Sequence, residues 1–247
     1  LGPTRGDAPA GRVVFMTELT LRYDRQSADE PLPSGDEWTT REGAHIDFTF
    51  TAMRAARAMG LQVVSLSPIG EGPRASIIAD ALAREGIIDT GPRVTGRDSG
   101  FASPITGKFG SSESERITGM PQDAWDEVIR TLGPSDVLYI DAEIETNPPV
   151  LAAAEHALAL LPQHVRVIQD MSGAFIGPRN VRNDSVLTVL DQGSVQALGE
   201  RFMSDRTAFD ASRVPAHAAS FILSLFHRSA LISTMTYESF LAQAQHA

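Results

Sequence analysis

Val137-Leu-Tyr-Ile-Asp141 and Val165-Arg-Val-Ile-Gln-Asp170 are two short runs that contain Val and Ile, end in Asp, and lie on either side of a stretch rich in Ala and Leu. The first run opens the segment Val137–Glu143, and the stretch between the runs predicts a helix over Asn147–Leu161. A strand–helix–strand unit of this length implies parallel pairing and a right-handed connection. The sequence therefore predicts an α/β fold with a mostly parallel sheet and helices on both faces.

The ends of these two predicted strands indicate where a ligand would bind. Ligands of open parallel sheets bind beyond the carboxyl ends of the strands, so Asp141 and Asp170 are expected at the functional edge. At the start of the intervening helix, Asn147 is expected to act as the N-cap, with Pro149 in the first turn.

Composition limits the class of protein. The 247 residues are 42% hydrophobic, enough for one packed domain, predicted over residues 12–247 after a flexible tail at 1–11. The chain has no cysteine, which excludes disulfides and fits a reducing intracellular compartment, either the cytoplasm or an organelle matrix. A formal charge of −10 argues against direct binding of nucleic acid. No apolar run is long enough to span a membrane.

The remaining elements follow from periodicity and turn residues. Two polar segments, about 24–42 and 96–119, are expected to form loops or hairpin strands. Within the second of these, Ser111–Glu115 is interpreted as a solvated loop. The other predicted elements are strands at Arg12–Leu21 and Leu61–Ile69, helices at Ile46–Met59 and Pro121–Leu132, a helix ending at Glu85, and a closing helix in Thr236–Ala247.

A glycine-containing turn joins Leu61–Ile69 to the next helix and reads Gly70-Glu71-Gly72-Pro73-Arg74-Ala75. Strand, Gly-x-Gly-x-x-Ala and helix form a dinucleotide fingerprint in outline. However, Glu71 would lie where a pyrophosphate needs positive potential. The preferred interpretation is that the glycines permit a tight strand-to-helix turn.

The segment Asp210–Phe226 has a proline at a predicted helix start, followed by an almost wholly apolar run. It resembles the signature helix of the PfkB/ribokinase family of carbohydrate kinases. There, a Gly-Ala-Gly-Asp run forms an anion hole with its backbone N–H groups, and its Asp is the catalytic base. This chain has Val214, Pro215, Ala216 and His217 instead. The resemblance implies a kinase-like frame in which His217 occupies the position of the base, without its function.

The same resemblance extends to the predicted sugar side of the site, where it implies that the segments at about 24–42 and 96–119 form a reduced β lid. The family's first strand ends in Gly-Glu with an Arg a few residues on, and here Glu18 and Arg22 match. Its Gly-Gly-Ala-Asn run corresponds to Gly43 and, at the Asn, to Asp47. These four residues are the implied substrate-binding set. Two simpler interpretations remain open: Glu18 and Arg22 form a strand-end ion pair, and Asp47 is a helix-start acid.

On the nucleotide side, Val186–Gly199 resembles the family's Thr-x-Gly-x-x-Gly element. Thr188 and Gly193 match, and together with Ala216 they are the implied nucleotide-binding residues. Only 17 residues separate Asp170 from Thr188, where the family has an Asn-x-x-Glu region linked to magnesium. No metal-binding residue is therefore assigned, and ATP and Mg²⁺ are implied only for an active enzyme.

Three functions are compatible with this pattern. The favoured hypothesis is a PfkB-like carbohydrate kinase homologue that has lost catalysis and acts as a structural or regulatory subunit, with protein partners in a larger assembly. The alternative is an active ATP-dependent sugar or nucleoside kinase with an altered base. The third is a sugar or metabolite sensor. No His-Glu-x-x-His motif or Gly-x-Ser-x-Gly elbow indicates another chemistry.

Overall fold

The structure, a computed structural model, describes residues 12–40, 43–46, 48–58, 62–105, 113–133, 136–162, 165–170 and 186–188. Two β-sheets and the helices that pack on them make up this part of the chain. In chain order the elements are β1 (Arg12–Met16), β2 (Leu21–Tyr23), α1 (Glu37–Thr40), β3 (Ala44–Ile46), α2 (Phe48–Ala58), β4 (Gln62–Ser65), α3 (Pro73–Arg84), β5 (Ile88–Asp89), β6 (Phe101–Ser103), β7 (Glu113–Glu115), α4 (Asp126–Arg130), β8 (Val137–Asp141), a 3-10 helix (Ala142–Thr146), α5 (Pro148–Leu158), β9 (Arg166–Asp170) and β10 (Val186–Thr188).

The larger sheet has the strand order β10-β9-β8-β1-β4-β5, and all its neighbouring strands are parallel. The strand–helix–strand unit predicted from residues 137–170 is present as β8, α5 and β9, with Val137 paired to Arg166 and Asp141 to Asp170. This arrangement confirms the predicted α/β fold with a mostly parallel sheet.

Both faces of the larger sheet are covered. Successive side chains of a strand point to opposite faces, yet every residue of β8 and Val13–Met16 of β1 are buried. One face forms a core with α4 and α5, and this core includes Val14, Leu138, Val150, Ala154 and Trp125. Val13 and Phe15, which point to the opposite face from Val14, are fully buried as well, and α2 contacts β4 and α3 contacts β5.

The smaller sheet has the order β3-β2-β6-β7. β2 and β3 flank the first polar segment of the predicted lid, at 24–42, and β6 and β7 lie in the second, at 96–119. β6 and β7 pair antiparallel, which confirms the hairpin predicted there. The interpretation of Ser111–Glu115 as a loop is wrong for its last three residues, because Glu113–Glu115 form β7, an exposed edge strand. The domain limits at residues 11 and 12 stay a prediction.

The first strand is shorter than predicted. The continuous run Arg12–Leu21 divides into β1, which ends at Met16, and β2, which begins at Leu21 in the smaller sheet. The chain leaves the larger sheet at Thr17, and the backbone N–H of Leu19 donates to Ser67 Oγ at 2.8 Å. Polar partners from other segments therefore replace strand pairing over residues 17–20. Among the described helices, none is both long and apolar enough to cross a membrane.

An ion pair joins the first residue of β1 to the residue just before β8. Arg12 Nε and Nη2 donate to the two oxygens of Asp136 at 3.0 and 2.8 Å. Burial raises the pKa of Asp136, but the hydrogen bonds from Arg12 and from the N–H of Gly133 outweigh it and hold the pKa below its ordinary value of 3.8. Asp136 therefore stabilises the fold above that ordinary value, and this stabilisation is lost as the pH falls through its lowered pKa.

Asp136→Asn is expected to lower the free energy of unfolding by about 1–2 kcal/mol near pH 7, since the charged bidentate pair is lost. The Arg12 side chain is 34% exposed, so solvent screening keeps the effect at the lower end of that range. Urea denaturation at several pH values should also show a smaller loss of stability in acid for the variant. Asp123→Asn, at an exposed acid, is the control. Equal pH slopes for wild type and Asp136→Asn would contradict this prediction.

Candidate functional site

The carboxyl ends of β1 and β8 lie side by side and place two acids at the edge of the sheet. Asp141, the last residue of β8, lies there as predicted and is fully buried. Its Oδ2 accepts a hydrogen bond from Thr17 Oγ1 at 2.7 Å and another from the hydroxyl of Thr49 in α2. The Asp141 carboxylate thus joins β1, β8 and α2.

Glu18 follows β1 and is only 1% exposed. Its Oε1 accepts the backbone N–H of Ile117 at 2.8 Å, and its Oε2 accepts Nδ2 of Asn147 at 3.0 Å. The same Asn147 nitrogen donates to the Ile117 carbonyl at 2.8 Å. Glu18, Asn147 and the Ile117 backbone form a closed group, the Glu18–Asn147 clasp, which holds the chain leaving β7 against the larger sheet.

Burial raises the pKa of Glu18 above its ordinary value of 4.5. The hydrogen bonds from Asn147 and Ile117 and the positive charge of Arg116 act in the opposite direction, and the negative charge of Glu143 raises the pKa further. Arg116 and Glu143 pair with each other, with Nη2 and Oε2 3.0 Å apart. The buried clasp therefore lies beside an ion pair whose two side chains are partly exposed.

Asn147 does not cap α5 with its side chain. It occupies the N-cap position, but it makes no side-chain capping hydrogen bond. Its amide is used by Glu18 and by the Ile117 carbonyl, both far away in the sequence. The predicted N-cap position is confirmed, but the side chain makes no capping bond because two buried acceptors outside the helix compete for the same amide.

Arg22 is the middle residue of β2, in the smaller sheet. Leu21 and Tyr23 are buried, whereas the Arg22 side chain is 32% exposed, and its Nε donates to Asp24 Oδ1 at 3.1 Å. Its cross-strand neighbours are His45 and Ala102. The structure does not bring Glu18 and Arg22 together, and the proposed ion pair between them is wrong, because each has other partners.

The other predicted site residues are placed only in part. Gly43 has a φ of +89° in the turn before β3, a conformation that favours glycine. Thr188 lies in β10. Asp47, Gly193, Ala216 and His217 lie outside the described residues. The assignment of these residues, and of Glu18 and Arg22, to sugar or nucleotide binding stays a prediction.

The glycine-containing turn before α3 binds a carboxylate of the chain itself. Oδ2 and Oδ1 of Asp98 accept the backbone N–H groups of Arg74 and Ala75 at 3.2 and 2.8 Å. Gly72 has a φ of +147°, and a Cβ there would lie 2.6 Å from Asp98 Cγ. The turn interpretation is confirmed, and a pyrophosphate at this helix start would have to displace Asp98.

Asp98, Arg74 and Thr49 were not identified from the sequence as parts of an ordered site. Each of these three side chains contacts residues that are distant in the sequence. No short sequence motif therefore indicates the contacts. Within the residues that the structure describes, no group of three or more His, Asp or Glu side chains is arranged to hold a metal ion.

No protein-family model matches the chain, and no curated protein matches it. Among solved structures, a fructokinase from Xylella fastidiosa is similar, with a TM-score of 0.50 and 12% identity over 87% of this chain. A 2-dehydro-3-deoxygluconokinase from Thermotoga maritima has a TM-score of 0.48 and 14% identity over 66% of this chain. This chain covers 66% of the fructokinase and 52% of the gluconokinase.

An identity of 12% establishes a fold and does not establish an activity. The parallel strand order, the covered faces of the larger sheet and the second small sheet agree with the likeness to the fructokinase. The described part of this chain has the ribokinase-like α/β fold.

Proposed function

We propose that this chain is a homologue of the PfkB carbohydrate kinases that has lost phosphoryl transfer and acts as a structural or regulatory subunit of a larger assembly. The observation that carries the proposal is the closed state of Glu18. The resemblance assigns this residue to sugar binding, yet it is 1% exposed and both its oxygens accept hydrogen bonds from the protein. A sugar hydroxyl would have to replace one of these bonds.

The residues expected to do the chemistry give independent support. Phosphoryl transfer needs a base at the acceptor hydroxyl and preorganised donors around the transferred group. Where the family has Gly-Ala-Gly-Asp, this chain has Val214, Pro215, Ala216 and His217. Proline has no N–H, so one backbone donor is removed outright. Loss of one such donor lowers a rate by about 10²–10³.

A protein that no longer transfers phosphate can still bind other proteins through its surface. This is the basis for the proposed role as a subunit. Function depends on the groups at a site more than on the fold that carries it. In this proposal the sheet and its second small sheet serve to present a surface to protein partners. We therefore expect that, in a native cell extract separated by size, the protein migrates well above the size of the single chain.

The loss of catalysis is tested by an ADP-release assay with ATP-Mg²⁺ and a panel of aldoses, ketoses, 2-keto-3-deoxy sugar acids and nucleosides. We expect no turnover above that of the His217→Asn variant. Millimolar ATP-Mg²⁺ is also expected to leave the melting temperature unchanged, because a ligand that does not bind the native state cannot stabilise it. Turnover that His217→Asn abolishes would overturn the proposal.

The second candidate is an active ATP-dependent sugar or nucleoside kinase in which His217 is the base. The likeness to a fructokinase and the presence of the second sheet favour it. The ordinary pKa of histidine lies near neutrality, where a base is effective. This candidate predicts a rise in melting temperature with ATP-Mg²⁺, so the same two measurements distinguish it from the first.

A further inference from the structure

Arg74 joins the larger sheet's helix α3 to the smaller sheet. It lies in the first turn of α3, directly after Pro73. Its Nε donates to the Ser99 carbonyl at 2.5 Å and lies 3.8 Å from Asp98 Oδ2. Its Nη2 lies 3.4 Å from Oε1 of Glu115 in β7. One guanidinium therefore contacts the loop before β6 and the edge strand of the smaller sheet.

The same guanidinium contacts two aromatic rings. Its Cζ lies 5.0 Å from the ring centroid of Phe101 and 5.8 Å from that of Trp38. The two rings are 5.5 Å apart and tilted by 45°. Such distances permit cation–π attraction and a favourable ring–ring contact. Trp38 belongs to α1, which packs on α3, so the rings bring α1 over the start of β6.

Trp38 is buried without a side-chain hydrogen bond to residues that the structure describes. The side chain is 3% exposed, and its Nε1–H has no hydrogen-bond acceptor among the residues that the structure describes. A buried indole N–H normally finds a partner, and leaving it unpaired disfavours the buried position. Ring contacts and the Arg74 guanidinium therefore have to hold Trp38 in place, against the cost of this unpaired donor.

We propose that the segment Glu37–Thr40 is a strap over the start of β6, and that Arg74 is the latch that keeps it closed. When Arg74 releases, Trp38 leaves its buried position, and Phe101 at the start of β6, already partly exposed, becomes more exposed. The strap is a conformational device of the smaller sheet. It operates whether or not the chain transfers phosphate, so its test is separate from that of the proposed function.

Fluorescence of Trp38 tests the latch. The chain has two tryptophans, so Trp125→Phe leaves Trp38 as the sole indole reporter. In that background, Arg74→Met keeps an apolar stem and removes the charge and the planar group. We expect a several-fold rise in the acrylamide quenching constant of Trp38 and a red shift of its emission. Arg84→Met, at an exposed arginine near the other end of α3, is the matched control and is expected to change neither value.

Amide hydrogen exchange gives a second measurement in the chain with both tryptophans. Leu21–Tyr23 and Phe101–Ser103 are expected to exchange several-fold faster in Arg74→Met, while Val137–Asp141 keeps its protection. If Arg74→Met does not fold, the same two measurements are made on Arg74→Lys, because this variant keeps the charge and loses the planar stacking group. The proposal is overturned if Trp38 quenching and exchange in the smaller sheet stay at parent values in a folded Arg74 variant, or change equally in Arg84→Met.

Discussion

Asn147→Asp is expected to lower the free energy of unfolding by about 3–5 kcal/mol near pH 7, the cost of breaking a buried charged arrangement. In the wild type, Nδ2 of Asn147 donates to Glu18 Oε2 at 3.0 Å and to the Ile117 carbonyl at 2.8 Å. An aspartate there presents oxygens alone to these two acceptors. Two carboxylates then face each other in a buried site, and the positive charge of Arg116 that favours ionised Glu18 is already paired with Glu143.

The pH dependence of the variants separates charge repulsion from lost hydrogen bonds. Asn147→Asp is expected to recover part of its stability as the pH falls, because one proton shared between two close carboxylates removes the repulsion. Asn147→Ala is expected to cost about 2–3 kcal/mol, because it leaves an oxygen of Glu18 and the Ile117 carbonyl without that donor. It has no second carboxylate, so it should lack the recovery in acid.

Urea denaturation of both variants at several pH values checks these expectations. Glu155→Gln changes a charge at an exposed position of the same helix and is expected to stay within about 0.5 kcal/mol of the wild type. An Asn147→Asp variant as stable as the wild type near pH 7 would mean that the Glu18–Asn147 clasp does not hold the chain leaving β7 against the larger sheet.

Local sequence patterns were sufficient for the elements that depend on local forces. Val137–Ile140 is a continuous apolar run because both faces of its strand are buried, and its parallel pairing follows from the helix that separates it from β9. The start of α3 at Pro73 could be predicted, since proline suits the first turn of a helix.

The change of sheet after Met16 could not be predicted in the same way. Arg12–Leu21 is one β-branched and apolar run, and nothing in it indicates where the chain leaves one sheet for another. The contacts that determine the exit are remote: Thr17 bonds to Asp141, and the N–H of Leu19 bonds to Ser67. Tertiary partners of this kind override strand propensity.

The site residues show the same limit. An asparagine before Pro148-Pro149 resembles a helix cap in every local respect, yet its amide serves Glu18 and Ile117. The carboxylate that does cap a helix start is Asp98, which accepts N–H groups of α3 and lies more than twenty residues beyond the start of that helix. Only the folded arrangement shows which polar side chain meets which helix start.

Gly70→Ala is expected to lower the free energy of unfolding by about 3 kcal/mol or more, a value typical of overpacking that moves backbone. A Cβ at Gly70 would lie 2.2 Å from the Arg97 carbonyl oxygen and 2.8 Å from the backbone nitrogen of Ser99. The atoms in the way are backbone atoms, so no side-chain rotation relieves the contact. The loop 97–99 must therefore move away from the turn before α3.

That movement has specific consequences, because the loop carries the cap of α3 and one contact of Arg74. Asp98 accepts the first N–H groups of the helix, and the Ser99 carbonyl accepts Arg74 Nε. Gly70→Ala should therefore accelerate amide exchange in the first turn of α3 as well as lower stability in urea. Gly133→Ala, where the nearest atom to the added Cβ is 3.9 Å away, is the matched control and is expected to cost less than about 1 kcal/mol. Equal stability of the two variants would show that the backbone of loop 97–99 does not lie against Gly70, and the account of the turn as a carboxylate-capped helix start would then be wrong.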